Sequence, residues 1–165
     1  MTAGGTNDVR GWGNRLLGPK VPNAEARIEG SDTLLVADGY VPVGALAKFS
    51  GTLELRFPAP RLPPSWEAHL FLDVGKVWTP DERFSQALLL PGQTDFRFST
   101  GAGISYQTPV GAIRVSLGCK LNPSDLDLRD AQKVLDALVN GLPVSSVEPE
   151  WTRRLHLHLS FGLAL

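Results

Sequence analysis

The chain has one cysteine, no long apolar run, almost no net charge and no leader pattern at its amino end, and each absence excludes something. Cys119 stands alone, which removes an intrachain disulfide and a cysteine-based metal cluster. It lies among apolar neighbours and reads as a packing residue. The longest apolar stretches, such as Ala87-Leu88-Leu89-Leu90, fall far short of the roughly 20 residues that a membrane helix needs. A net charge of −1 gives no footing for nucleic acid or for an anionic membrane surface. Nor is there a nucleophile–base–acid spacing. Gly101-Ala102-Gly103 sits inside an alternating stretch rather than opening a helix, so it is no phosphate loop, and no enzymatic activity or cofactor is expected. His156 and His158 share a face and are the one pair that could hold a metal. No third ligand accompanies them, so the expectation is no metal site and plain polar side chains.

What the chain does have is alternation. From Arg154 to Leu165 every odd position is Leu or Phe, while the even positions are charged, polar or small. Side chains on a strand alternate faces, so one face is apolar throughout and the other carries Arg154, His156, His158 and Ser160. Strands of soluble sandwiches usually run about five or six residues. A run of twelve residues better suits a membrane-crossing strand, which needs about 9–11 tilted residues. The pattern recurs upstream. Phe49, Leu53, Leu55 and Phe57 oppose Ser50, Thr52, Glu54 and Arg56. Ala68, Leu70, Leu72 and Val74 oppose Glu67, His69, Phe71, Asp73 and Gly75. Phe98, Ala102, Ile104 and Tyr106 oppose Arg97, Ser99, Gly101, Gly103, Ser105 and Gln107, and Ile113, Val115, Leu117 and Cys119 oppose Arg114, Ser116, Gly118 and Lys120. Lys76 breaks its apolar face near a strand end, where a long side chain can snorkel. The expected fold is all-β: an antiparallel transmembrane β-barrel fragment with strands at about 45–58, 66–78, 95–108, 112–122 and 153–165.

Connections alternate between short (Pro58–Pro64, Thr108–Gly111) and long (Thr79–Thr94, Asn122–Pro149). Barrels of the outer membrane have short periplasmic turns and long extracellular loops, which sets the orientation and puts residues 1–44 outside as one loop. Trp78, Phe96 and Trp151 then fall at extracellular strand ends, and Phe57, Trp66 and Tyr106 at periplasmic ends, as two interfacial belts require. The last loop is expected to hold one short helix, capped by Asp125 or Asp127. Its apolar stripe is Leu128, Ala131, Val134 or Leu135, and Leu138, and it stops at Asn140-Gly141. That stripe should rest on the barrel mouth or a neighbouring loop. Five strands cannot close a barrel, and with an odd number the two edges would meet in parallel. Together with the missing leader, this makes the chain an expected carboxyl-terminal piece of a longer one.

Before the first strand lies Gly4-Gly5-Thr6-Asn7-Asp8-Val9-Arg10-Gly11-Trp12, which by spacing alone reads as a surface loop, with delivery of a single cation to a buried acidic site as the alternative. It resembles the Gly-Gly…Val-Arg-Gly-aromatic motif in the sixth extracellular loop of the BamA/TamA outer-membrane assembly superfamily. Leu53–Pro58, Phe71–Trp78, Ser99–Ile104, Thr108–Val115 and the closing Leu157–Leu165 agree with the same family in order. The resemblance implies the last five of sixteen strands plus the preceding loop, 1–44, folded back into the lumen, with residues 45–165 forming barrel wall. It further implies that Arg10, in the functional loop motif Val9-Arg10-Gly11-Trp12, meets Glu54 and Asp73 on the inner wall with Phe71 beside it. The last strand, with Leu157, Leu159, Phe161, Gly162 and Leu165, would be one side of a lateral seam where client strands are templated. Leu165 departs from the family's usual aromatic terminus. A bacterial outer-membrane location follows, with lipids, unfolded β-barrel clients, assembly lipoproteins, periplasmic chaperones and the rest of its own barrel as partners. A TamA-like or two-partner-secretion translocator is the alternative, and a passive pore a further one that would need no Arg10 loop.

Overall fold

The computed structural model describes residues 1–29, 32–78 and 96–163. The expected loop Thr79–Thr94 and the terminal Leu165 lie outside the described residues.

The wall is a five-stranded antiparallel meander in sequence order: β3 (Ala47–Pro58), β4 (Trp66–Trp78), β5 (Arg97–Thr108), β6 (Gly111–Lys120) and β7 (Leu155–Leu163). Two further strands, β1 (Lys20–Glu29) and β2 (Asp32–Pro42), pair as a separate antiparallel hairpin. That hairpin lies within residues 1–44, where the sequence pattern gave no strand. Pro22 sits at an irregularity in its register, and Gly39 adopts a φ of +89° inside β2. Both residues weaken the strand signal.

The register lines up the alternating residues in rows across the wall. Leu55, Leu70, Ala102, Leu117 and Leu157 form one outward row, each paired with the next. Those leucines are exposed, whereas inward-facing His69, Phe71, Asp73, Ser99, Ser105, Ser116 and His158 are buried. A water-soluble sheet does the reverse. An apolar outer surface over a polar, covered inner one suits a sheet whose outer solvent is hydrocarbon. Trp66 and Tyr106, paired across β4 and β5, stack with ring centroids 4.9 Å apart at one rim. At the other rim the Lys76 ammonium lies 5.3 Å from the Trp78 ring and 6.0 Å from that of Phe96. Lys76 is therefore buried on aromatic faces rather than extended to water.

The final loop contains one α-helix, α1 (Ala131–Val139), flanked by 3-10 turns at Asp125–Leu128, Val144–Ser146 and Trp151–Arg154. Its cap is Asp130, whose carboxylate accepts from the backbone N–H of Gln132 and Lys133, and not Asp125 or Asp127. Asp127 instead closes the preceding turn, accepting from the Ser124 backbone N–H (2.6 Å) and hydroxyl (2.8 Å). Starting the helix six residues later than Asp125 moves the buried face. Ala131, Val134, Leu135 and Ala137 are covered, while Leu138 is half exposed. Val134 and Ala137 pack with Val147, and α1 leans on the β1–β2 hairpin. The helix ends with Gly141 at a φ of +70°, a left-handed stop open to glycine.

Candidate functional site

Residues 3–17 fold into a closed loop pressed onto the inner wall. Gly4 and Gly5, both with φ above +100°, turn the chain so that Leu17 N–H donates to Ala3 C=O (2.9 Å). Ala3, Val9, Trp12 and Leu17 then pack with Val77 of β4 into a small core. This core aims Arg10 at the wall. Its Nε and backbone N–H both donate to Asp73 Oδ2 at 2.9 Å, and a terminal amine donates to Oδ1 at 2.8 Å. The other terminal amine reaches Glu54 Oε2 at 2.6 Å. The guanidinium carbon lies 3.6 Å from the centroid of the Phe71 ring, so the planar cation is stacked on one side and forked onto carboxylates at its edge. Asp73 is fully buried, and Arg10 nearly so. Glu54 is shared with Arg56 (2.6 Å) and, more distantly, with Arg114 (3.8 Å).

Val9, Arg10, Gly11, Trp12, Glu54, Phe71 and Asp73 are thus brought together. Val9 fills the space over Gly75, where a Cβ would stand 2.5 Å from its methyl. Trp12 is buried and lies 6.0 Å from the Lys120 ammonium. On β7, Leu157 (69% exposed), Leu159 (58%) and Phe161 (73%) face outward, and Gly162 pairs with Ala112. These outward residues of β7 do not touch the loop cluster; the inward face of β7 does.

Three contacts of the loop escaped the sequence pattern. The Gly11 N–H donates to Ser99 Oγ at 3.1 Å. A Cβ on Gly118 would stand 2.3 Å from the Arg10 carbonyl oxygen, so only glycine lets the loop backbone lie this close to β6. His158 Nε2 lies 2.5 Å from the same oxygen and its Nδ1 lies 3.2 Å from Thr6 Oγ1. The available signal was glycine in mid-strand on a polar face, which marks the close approach of another backbone. Gly101 and Gly103 serve the same face, making room for Phe71 and for His69, which reaches over to Ser116 Oγ (2.9 Å).

Outside the wall a second cluster ties the hairpin to the final loop. Lys20 and Asp127 form a buried ion pair, and Lys20 also donates to the Leu16 carbonyl (3.2 Å). Gln132 of α1 bonds the open edge of β2 at Ala37 N–H and Leu35 C=O. The Tyr40 hydroxyl donates to the Arg129 carbonyl at 3.1 Å. Burial pushes the Tyr40 phenol up to about 12. Burial also works against an ionised Asp127, but the Lys20 ammonium and the Ser124 hydrogen bonds outweigh it and hold the carboxyl below its ordinary value.

A wall with an apolar outside, a polar inside and a loop clamped within defines a membrane β-barrel segment with an internally docked loop. The chain matches the Omp85 superfamily domain over residues 2–134, and it belongs to the Omp85 superfamily. Members of that superfamily are bacterial outer-membrane proteins that insert or translocate other proteins.

Proposed function

We propose that this chain is part of a barrel that folds and inserts other β-barrel proteins into the bacterial outer membrane, with β7 as one side of a lateral seam. The role is non-enzymatic: a client strand adds by backbone pairing to an edge, as strands add to any exposed ladder. The observation that carries this reading is the Arg10 clamp. Four hydrogen bonds hold one loop on the inner wall, next to a strand whose outer edge has no neighbour among the described residues. A passive pore needs no such clamp. Client barrels, outer-membrane lipids, assembly lipoproteins and periplasmic chaperones are the partners this role requires, and the remainder of the barrel closes the wall.

The test uses the full-length parent protein in cells depleted of the native copy. Arg10→Glu puts a third carboxylate against Asp73 and Glu54, and folded barrel proteins should disappear from the outer membrane. Adding Asp73→Arg should restore part of the loss, because it recovers the side-chain attraction but not the bond to the Arg10 backbone N–H. Wild-type client levels with Arg10→Glu alone would overturn the reading. Intact clients with loss of one secreted polypeptide would assign a translocator instead.

A further inference from the structure

We propose that His158 is a positioning residue, a latch through which the docked Arg10 loop holds the edge strand β7 against the inner wall. The proposal extends the seam reading above, and rests on it for function but not for geometry. Among the described residues β7 pairs only with β6, so one of its edges is unsupported. On its inward face His156 lies against Gly13 of the loop, and His158, which is buried, sits within hydrogen-bond distance of two loop atoms.

The chemistry of the two neighbours sets the tautomer. Arg10 C=O can only accept, so Nε2 must carry a proton and donate to it. In the neutral ring Nδ1 is then an acceptor, and the Thr6 hydroxyl supplies the proton for that bond. Both nitrogens are thus spoken for by the loop. Ser116 faces His158 across the β6–β7 ladder, and its hydroxyl is hydrogen-bonded to His69 at 2.9 Å. Gly118 completes the arrangement: only without a Cβ there does the Arg10 carbonyl come within reach of β7.

Arg10 therefore works in two directions. Its guanidinium is anchored to Glu54 of β3 and Asp73 of β4, and its carbonyl oxygen is bonded to β7. The loop spans the inner wall from the first to the last strand of the sheet. Undocking the loop removes the inward support of β7, so the state of the loop is transmitted to the seam strand.

Hydrogen exchange on the full-length protein in lipid nanodiscs tests this without any client. In His158→Leu the amides of Leu155–Leu163 should exchange about tenfold faster, the factor that goes with losing about 1.4 kcal/mol. The β3, β4 and Arg10-loop amides should keep their protection. His158→Gln, which can offer an N–H to the same carbonyl, should restore most of it. Thr6→Val removes one of the two bonds without touching β7, and should speed β7 exchange by a smaller factor; it decides the matter if His158→Leu does not fold. Unchanged β7 exchange in His158→Leu, or in Thr6→Val where it stands alone, would overturn the latch. Equal loss of protection across β3–β7 would overturn it too, by making His158 a general packing residue. Faster β7 exchange with normal client assembly would leave the latch standing and refute the seam role.

Discussion

Arg10 makes bonds that no other side chain can reproduce. A guanidinium presents its donors in a flat fork, two of which meet Asp73 while a third meets Glu54, and its face covers Phe71. Lysine offers a point charge in place of the fork. Arg10→Lys should therefore leave the wall folded but free the loop, read as faster tryptic cleavage at Arg15 and Lys20. Arg10→Ala leaves Asp73 buried without its cation, a change that typically costs about 3–5 kcal/mol. Gly118→Ala attacks the same contact from beneath. Its methyl has no room under the Arg10 carbonyl, and it should raise cleavage of the loop about as much as Arg10→Lys while the sheet keeps its circular dichroism. The polar faces put Glu54 and Asp73 on the inner side, and the family resemblance, not the residue pattern, paired them with Arg10. Ser99, Gly118 and His158 as loop contacts were not: serine, glycine and histidine on a lumen-facing strand look the same whether water or a folded loop covers them.

At the scale of elements, the final loop and the β1–β2 hairpin hold each other. Asp130→Ala should cost α1 about 1 kcal/mol through loss of its cap, seen as faster amide exchange in Val134 and Leu135, whereas Asp125→Ala should not. The Lys20–Asp127 pair has a definite pH window. The Asp127 carboxyl is depressed in the folded state, so its contribution is complete above the ordinary aspartate value of about 4. It is lost as pH falls through the lower folded value. Tyr40 has the opposite sign of shift. Its phenol stays neutral in the fold up to about 12, whereas an unfolded tyrosine ionises near 10. Stability is thus constant below the unfolded value and declines as pH rises from there toward the folded one. Hairpin amides should stay protected between about pH 4 and about pH 10 and open progressively beyond either limit, and Tyr40→Phe should abolish the alkaline opening alone. The sequence pattern found a helix in the final loop but capped it at the wrong aspartate, since Asp125, Asp127 and Asp130 all precede apolar residues at helical spacing. Only the packing of Val134 and Ala137 on Val147 selects the third.

For the whole wall the decisive quantity is the depth of the outward rows. Leu117→Arg places a charge in mid-row on the lipid side, where insertion scales for barrels put the cost at about 2–4 kcal/mol. Gln107→Arg, exposed on the inward face beside Glu67, should cost far less in the same assay, urea-driven unfolding of the full-length protein from phosphatidylcholine vesicles. A smaller loss at Leu117 than at Gln107 would invert the assignment of faces. The two faces also explain why a small net charge and an ordinary composition are compatible with a membrane protein: the apolar residues are sorted by parity rather than gathered into runs.

The all-β antiparallel architecture and the outward face of each of the five wall strands were readable from the sequence alone, because a period of two is a local property of adjacent residues. Spacing alone made the glycine-flanked Arg10 segment a surface loop; its resemblance to a family motif is what marked it as a docked one. The fold in three dimensions was needed to show that Ser99, Gly118 and His158 also meet the loop and that the hairpin and the final loop rest on each other. The longest of those contacts join positions more than a hundred residues apart, such as Thr6 with His158 and Lys20 with Asp127, and they depend on strand register, on glycines that permit close approach, and on a hairpin whose proline and register irregularity hide it from any periodic pattern.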